Sequence, residues 1–138
     1  MEGALTAAEI KKQRIMVRDD KAVTFFVFDG ERLAVDVSLP TFPFAQQCKF
    51  SSAEKPYAAI MDEQGIHVIN CDEGKEKMML MNVNITAFSF SPKCNYLLTC
   101  EKFGQSTMKN LTFWEIDSGN EVAHFEWRKF PKDITKLV

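Results

Sequence analysis

The chain has 138 residues, of which 46% are apolar, 12% aromatic and 26% charged. That balance excludes disorder along the whole chain, and 6 Gly with 5 Pro exclude collagen-like and low-complexity classes. With 17 basic and 19 acidic residues the formal net charge is −2, which argues against gripping a phosphate backbone by bulk charge.

At the N-terminus, Thr6-Ala7-Ala8-Glu9 fits a capping box followed by good helix formers, and predicts a short helix or a tail over residues 1–14. Met1 to Asp20 lacks an apolar core behind a basic start, so a cytoplasmic protein without a secretory signal is expected. No window is apolar enough for a membrane span. From Ile15 onward the pattern changes to short β-rich runs. Ile15–Arg18 is stopped by Asp19-Asp20, and Val23–Phe28 by Asp29-Gly30, a turn signal. Leu33–Leu39 runs into Pro40-Thr41-Phe42-Pro43, a connection whose two prolines cannot sit in a central strand. Further runs follow at Gln47–Phe50, Tyr57–Met61, Gly65–Asn70 and Lys77–Met81. The last set is Thr86–Phe90, Tyr96–Cys100, Leu111–Ile116 and Glu121–Trp127.

These runs repeat. Ile66 to Gly74 aligns without a gap on Leu111 to Gly119, while Phe50-Ser51 and Tyr57 match Phe90-Ser91 and Tyr96. Val27-Phe28-Asp29-Gly30 is a weaker third copy. A period of about 40 to 45 residues with four short strands per unit is that of a WD40-type propeller blade. The prediction is an all-β fold: a partial propeller of about three blades, at residues 15–46, 47–85 and 86–133, with 134–138 starting another strand. Phe90-Ser91-Pro92 would end an innermost strand, and Trp114-Glu115 stands where the Trp-Asp dipeptide of such repeats falls. The alternative is a single sandwich or barrel whose meander mimics a repeat.

Chemistry-bearing residues are sparse. The four cysteines, Cys48, Cys71, Cys94 and Cys100, form no C-x-x-C pair, so buried reduced thiols are expected and no zinc site. His67 and His124 sit within strands beside no nucleophile elbow, and no glycine-rich phosphate loop occurs, so neither catalysis nor a cofactor is predicted. Gly104-Gln105-Ser106 reads as a polar hairpin loop. Met78, Met79 and Met81 cluster in one outer strand, as adaptable packing or a binding face. The candidate contact site for RNA or a protein partner is the inter-blade stretch with Trp127, Arg128, Lys129 and Lys132, where cations could hold phosphates while aromatics stack on bases.

Ala87 to Thr99, followed by Asn110 to Gly119, resembles the N-terminal propeller of the eukaryotic translation initiation factor 2A family. Cys48-Lys49-Phe50-Ser51, Gly65 to Ile69 and Arg14 to Arg18 fall where that propeller has comparable strands, so the resemblance runs from about Arg14 onward. The scaffold subunit b of initiation factor 3 has a related propeller. The resemblance implies a non-enzymatic cytoplasmic scaffold that helps bring initiator methionyl-tRNA to the small ribosomal subunit. Its implied partners are that subunit, initiator tRNA, mRNA and other initiation factors. In that family, basic and helical C-terminal segments contribute to the RNA contacts, and this chain lacks them. Three blades are fewer than the four or more that close a propeller, and Ile134 to Val138 resembles a strand cut before its turn. A fragment is therefore expected, with self-association through unclosed blades.

Overall fold

Short apolar strands joined by tight turns make sheets with two faces to bury, and this chain buries them by stacking three sheets side by side. The structure, a computed structural model, describes residues 5–11, 13–52, 55–101 and 110–126. Every regular element among them is a strand. The first sheet runs β1 (Leu5–Lys11), β2 (Arg14–Asp19), β3 (Ala22–Phe28) and β4 (Leu33–Val35), with β5 (Phe42–Pro43) pairing against the start of β3. The second runs β6 (Gln47–Phe50), β7 (Tyr57–Met61), β8 (Gly65–Asn70) and β9 (Lys75–Met81). The third runs β10 (Ile85–Phe90), β11 (Tyr96–Glu101), β12 (Leu111–Glu115) and β13 (Glu121–Phe125). All pairings are antiparallel. This is the all-β, WD40-like blade architecture that the repeat predicts.

The middle sheet explains the stacking. All five residues of β7 are buried. Successive strand side chains point to opposite faces, so the run fills two cores at once. Tyr57, Ala59 and Met61 join Ile66, Val68, Met78 and Leu80 against Ile85, Phe88, Leu97 and Ile116 of the third repeat. Ala58 and Ile60 turn the other way with Ile69 and Cys71, against Met16, Val23, Phe25 and Phe42 of the first. Inner strands are tied by side chains as well. Lys49 Nζ donates to the Phe88 carbonyl at 3.0 Å and lies over the Phe88 ring, and Gln47 donates to the Thr86 carbonyl.

Two expectations are corrected. The N-terminal helix or tail is a strand: Leu5–Lys11 pairs with β2, Ile10 opposite Ile15 and Lys11 opposite Arg14. A single short helix is marginal in water, whereas the flank of β2 supplies a ladder of backbone partners. The first sheet therefore begins at Leu5 and not at Ile15. The run Leu33–Leu39 is also broken early, because Asp36 folds it into a turn. The Asp36 carbonyl accepts from the Leu39 amide and its carboxylate from Ser38, so that Leu39 drops into the core. The proline-flanked connection does carry two strand residues, Phe42 and Pro43, paired with Val23 and Ala22 at the start of β3.

Candidate interaction surface

The same backbone devices hold the loops in the second and third sheets. Ser51 closes the β6–β7 hairpin twice: its amide donates to the Tyr57 carbonyl and its hydroxyl accepts from the Tyr57 amide, at 2.8 and 3.1 Å. Ser91 repeats both bonds with Tyr96 at 2.9 and 3.0 Å. The turns after β8 and β12 end on Gly74 and Gly119 at φ 69° and 74°, each amide donating to the carbonyl four residues earlier. A Cβ on Gly74 would lie 2.8 Å from the Ser38 carbonyl oxygen, so this glycine also lets the first two sheets approach. In the third sheet Trp114 Nε1 donates to the hydroxyl of buried Thr99 at 2.9 Å. Ile69 and Ile60 hold the equivalent places in the second, an apolar substitute for that bond.

Polar residues bridge the sheets. Arg14 reaches Asp36 at 3.8 Å and Asp72 at 3.3 Å, beside a cavity of about 400 Å³ lined by Gln13, Arg14, Val27 and Asp72. Lys77 meets Asp117 at 3.3 Å. His67 lies 3.1 Å from Asp62 and 2.9 Å from Glu76, with the Phe42 ring 5.1 Å away. Among the described residues no hydroxyl or thiol is hydrogen-bonded to His67. The clue to this trio is Asp62 placed across a tight turn from His67, a spacing the strand pattern conceals. His124 contacts Glu121 at 3.1 Å on the exposed edge strand β13. Among the described residues no cluster of His, Cys, Asp and Glu could hold a metal ion. The four cysteines are unbridged, with Cys71, Cys94 and Cys100 buried and Cys48 half-buried.

Loop residues meet at one end of the sheets. There the β2–β3 turn (Asp19, Asp20, Lys21), the β7–β8 turn (Asp62, Glu63, Gln64) and the crossings at 44–46 and 82–84 lie side by side. The Phe44 amide donates to the Lys21 carbonyl, the Gln46 amide donates to the Met61 carbonyl, and Gly65 pairs with Met81. Arg18 donates to the Gln46 carbonyl, and Asn82 to the Glu101 carboxylate. The amides of Lys21 and Ala22 hold the Asp19 carboxyl below the usual carboxylate range. Sequence reasoning missed this surface; its one signal is Phe44, an aromatic directly after Pro43 in a connecting segment. The predicted contact residues Trp127, Arg128, Lys129 and Lys132 lie outside the described residues, as do Gly104-Gln105-Ser106 and residues 134–138.

No family model matches the sequence, and no curated protein matches it. Solved structures do. Hsv2 of Kluyveromyces lactis superposes with a TM-score of 0.71 at 18% identity over 91% of this chain. A eukaryotic initiation factor superposes with a TM-score of 0.72 at 21% identity over 86%. The computationally designed protein Ika4 gives 0.70 at 16% over the whole chain. All three are propeller-like proteins, and at these identities the likeness shows the fold alone. The chain spans 39% of the length of Hsv2, 31% of the initiation factor and 81% of Ika4.

Proposed function

We infer that this chain is a non-enzymatic docking platform in translation initiation, of the factor 2A type, helping deliver initiator methionyl-tRNA to the small ribosomal subunit in the cytoplasm. The observation that carries this reading is the superposition on a eukaryotic initiation factor over 86% of the chain. The resemblance of residues 87–99 and 110–119 to the 2A propeller supports it independently. Stacked sheets suit such work, because a rigid scaffold presents loops at fixed spacing. The partners are the small ribosomal subunit and other initiation factors. Contact with tRNA or mRNA belongs in this reading mainly to the basic C-terminal segments of the family, with Trp127, Arg128, Lys129 and Lys132 as this chain's candidate RNA or partner contacts, and the acidic balance of the chain limits its share. The test is co-sedimentation of the intact gene product with purified small ribosomal subunits at low salt. Co-pelleting is expected, weakened when Arg128, Lys129 and Lys132 are changed to Ala. Absence of any association with ribosomes or initiation factors would overturn the reading.

The equally close superposition on Hsv2 favours a second reading, a WD-repeat adaptor outside initiation, and the related propeller of initiation factor 3 subunit b is the alternative within initiation. Affinity purification of the gene product separates these, since a 2A-type factor co-purifies with small subunits without the other subunits of factor 3.

A further inference from the structure

Phe44 combines two costly features. It has φ 57°, a left-handed conformation that bulky residues rarely adopt, and it is 71% exposed. Gly or Asn would hold that backbone without strain, and so little of Phe44 is buried that the core gains almost nothing from it. Strain kept at an exposed aromatic points to a use outside the fold. Met81 and Val83, each 75% exposed, stand at the same end of the sheets. The 44–46 crossing abuts the Met61 end of β7, and Met81 pairs with Gly65 one strand further out. Three strand spacings, about 14 Å, thus separate the β6 side from Met81. Asp20 and Glu63 are exposed among these side chains, with Asp19 and Asp62 partly so. Lys21 is the exposed cation in the same turns, and the Arg18 guanidinium is engaged with the Gln46 carbonyl.

We propose that this end, with Phe44, Met81 and Val83 as apolar anchors inside a rim of Asp19, Asp20, Asp62 and Glu63, docks a basic segment of a partner protein that carries an apolar side chain. Charge complementarity selects that occupant. Carboxylates attract Lys and Arg and repel the phosphates of RNA, while exposed aromatic and thioether groups take up an aliphatic side chain. The surface does not depend on the role in initiation, so failure of one leaves the other standing.

The experiment titrates a fluorescein-labelled peptide alternating arginine with leucine into the full chain, by anisotropy at low and moderate salt. Saturable binding that weakens with salt is expected, and about tenfold weaker binding for Phe44→Gly, as for loss of an aromatic anchor. Glycine suits φ 57°, so the thermal midpoint of Phe44→Gly should stay within a few degrees of the parent's. A second variant, Asp20→Lys with Glu63→Lys, should lower affinity without touching the core. The proposal is overturned if Phe44→Gly unfolds the chain or binds the peptide as the parent does. It is equally overturned if a uridine oligonucleotide competes for the same site, or if Phe44→Gly abolishes self-association and leaves peptide binding intact.

Discussion

Trp114 and Thr99 show how one hydrogen bond depends on its surroundings. Thr99 is 1% exposed, and the indole of Trp114 is the donor that satisfies its hydroxyl. Trp114→Phe keeps an aromatic ring but strands that hydroxyl, which costs about 1–3 kcal/mol. Thr99→Val on the Trp114→Phe background should recover part of the loss, since two apolar partners can be nearly neutral. Ile60 and Ile69 already show the apolar solution in the neighbouring sheet. Urea denaturation of the four chains measures the coupling, and strict additivity would contradict it. Charge at single residues sets the pH response. The amides of Lys21 and Ala22 depress Asp19, and those of Arg32 and Glu31 depress Asp29. A depressed carboxyl stabilises the fold fully above its ordinary pKa, and this contribution is lost as pH falls through the depressed value. An acid titration should therefore show a shallower loss of stability in Asp19→Asn with Asp29→Asn than in the parent. Burial pushes the Cys100 thiol up, so its contribution is full below the ordinary thiol pKa and declines as pH rises beyond it.

Among the elements, position in the sheet stack decides the energetics. β7 is central in its sheet and covered on both faces; β13 is an edge with four of five residues exposed. Ile60→Ala in β7 should destabilise by about 2–5 kcal/mol, because the methylenes lost are fully buried and the site is enclosed by two sheets. Val122→Ala in β13, where Val122 is 52% exposed, should stay within about 0.5 kcal/mol. Thermal melts of the two variants compare them directly, and equal losses would refute the stacked arrangement. The same contrast explains what was legible in the strands. Tyr57–Met61 is an unbroken apolar run bounded by turn residues, which marks a strand buried on both faces. Leu5–Lys11 carries helix formers and becomes a strand because β2 offers it partners, which no local pattern records.

Considered as a whole, the stack leaves apolar surface at both ends. Phe28 and Leu33 pair on the outer part of the first sheet, with Val35 beside them, at 41%, 52% and 53% exposure. On the third, Phe113 and Phe125 meet edge to face at 6.0 Å, with Phe125 51% exposed. Surfaces of this kind associate. Sedimentation of the chain should show mass rising with concentration, and Phe28→Glu with Val35→Lys should suppress it. A monomer at every concentration would count against these faces as contact surfaces.

The sequence by itself determined the all-β class, the repeat and the strand order of its second and third units, because apolar runs, turn residues and the Phe-Ser and Asp-x-Gly punctuation are local properties. It also placed Trp114, Ser91 and Gly119 of the third unit at the points held by Ile69, Ser51 and Gly74 of the second. Only the tertiary structure decided what those residues do. Ser51 and Ser91 clasp hairpins, Gly74 admits the carbonyl of Ser38, and His67 sits between two carboxylates. The end carrying Phe44, Met81 and Val83 was illegible for the same reason. Its loops come from four separate turns and crossings, brought together by sheets stacked on sheets, and distance across a stack is not written in any stretch of neighbouring residues.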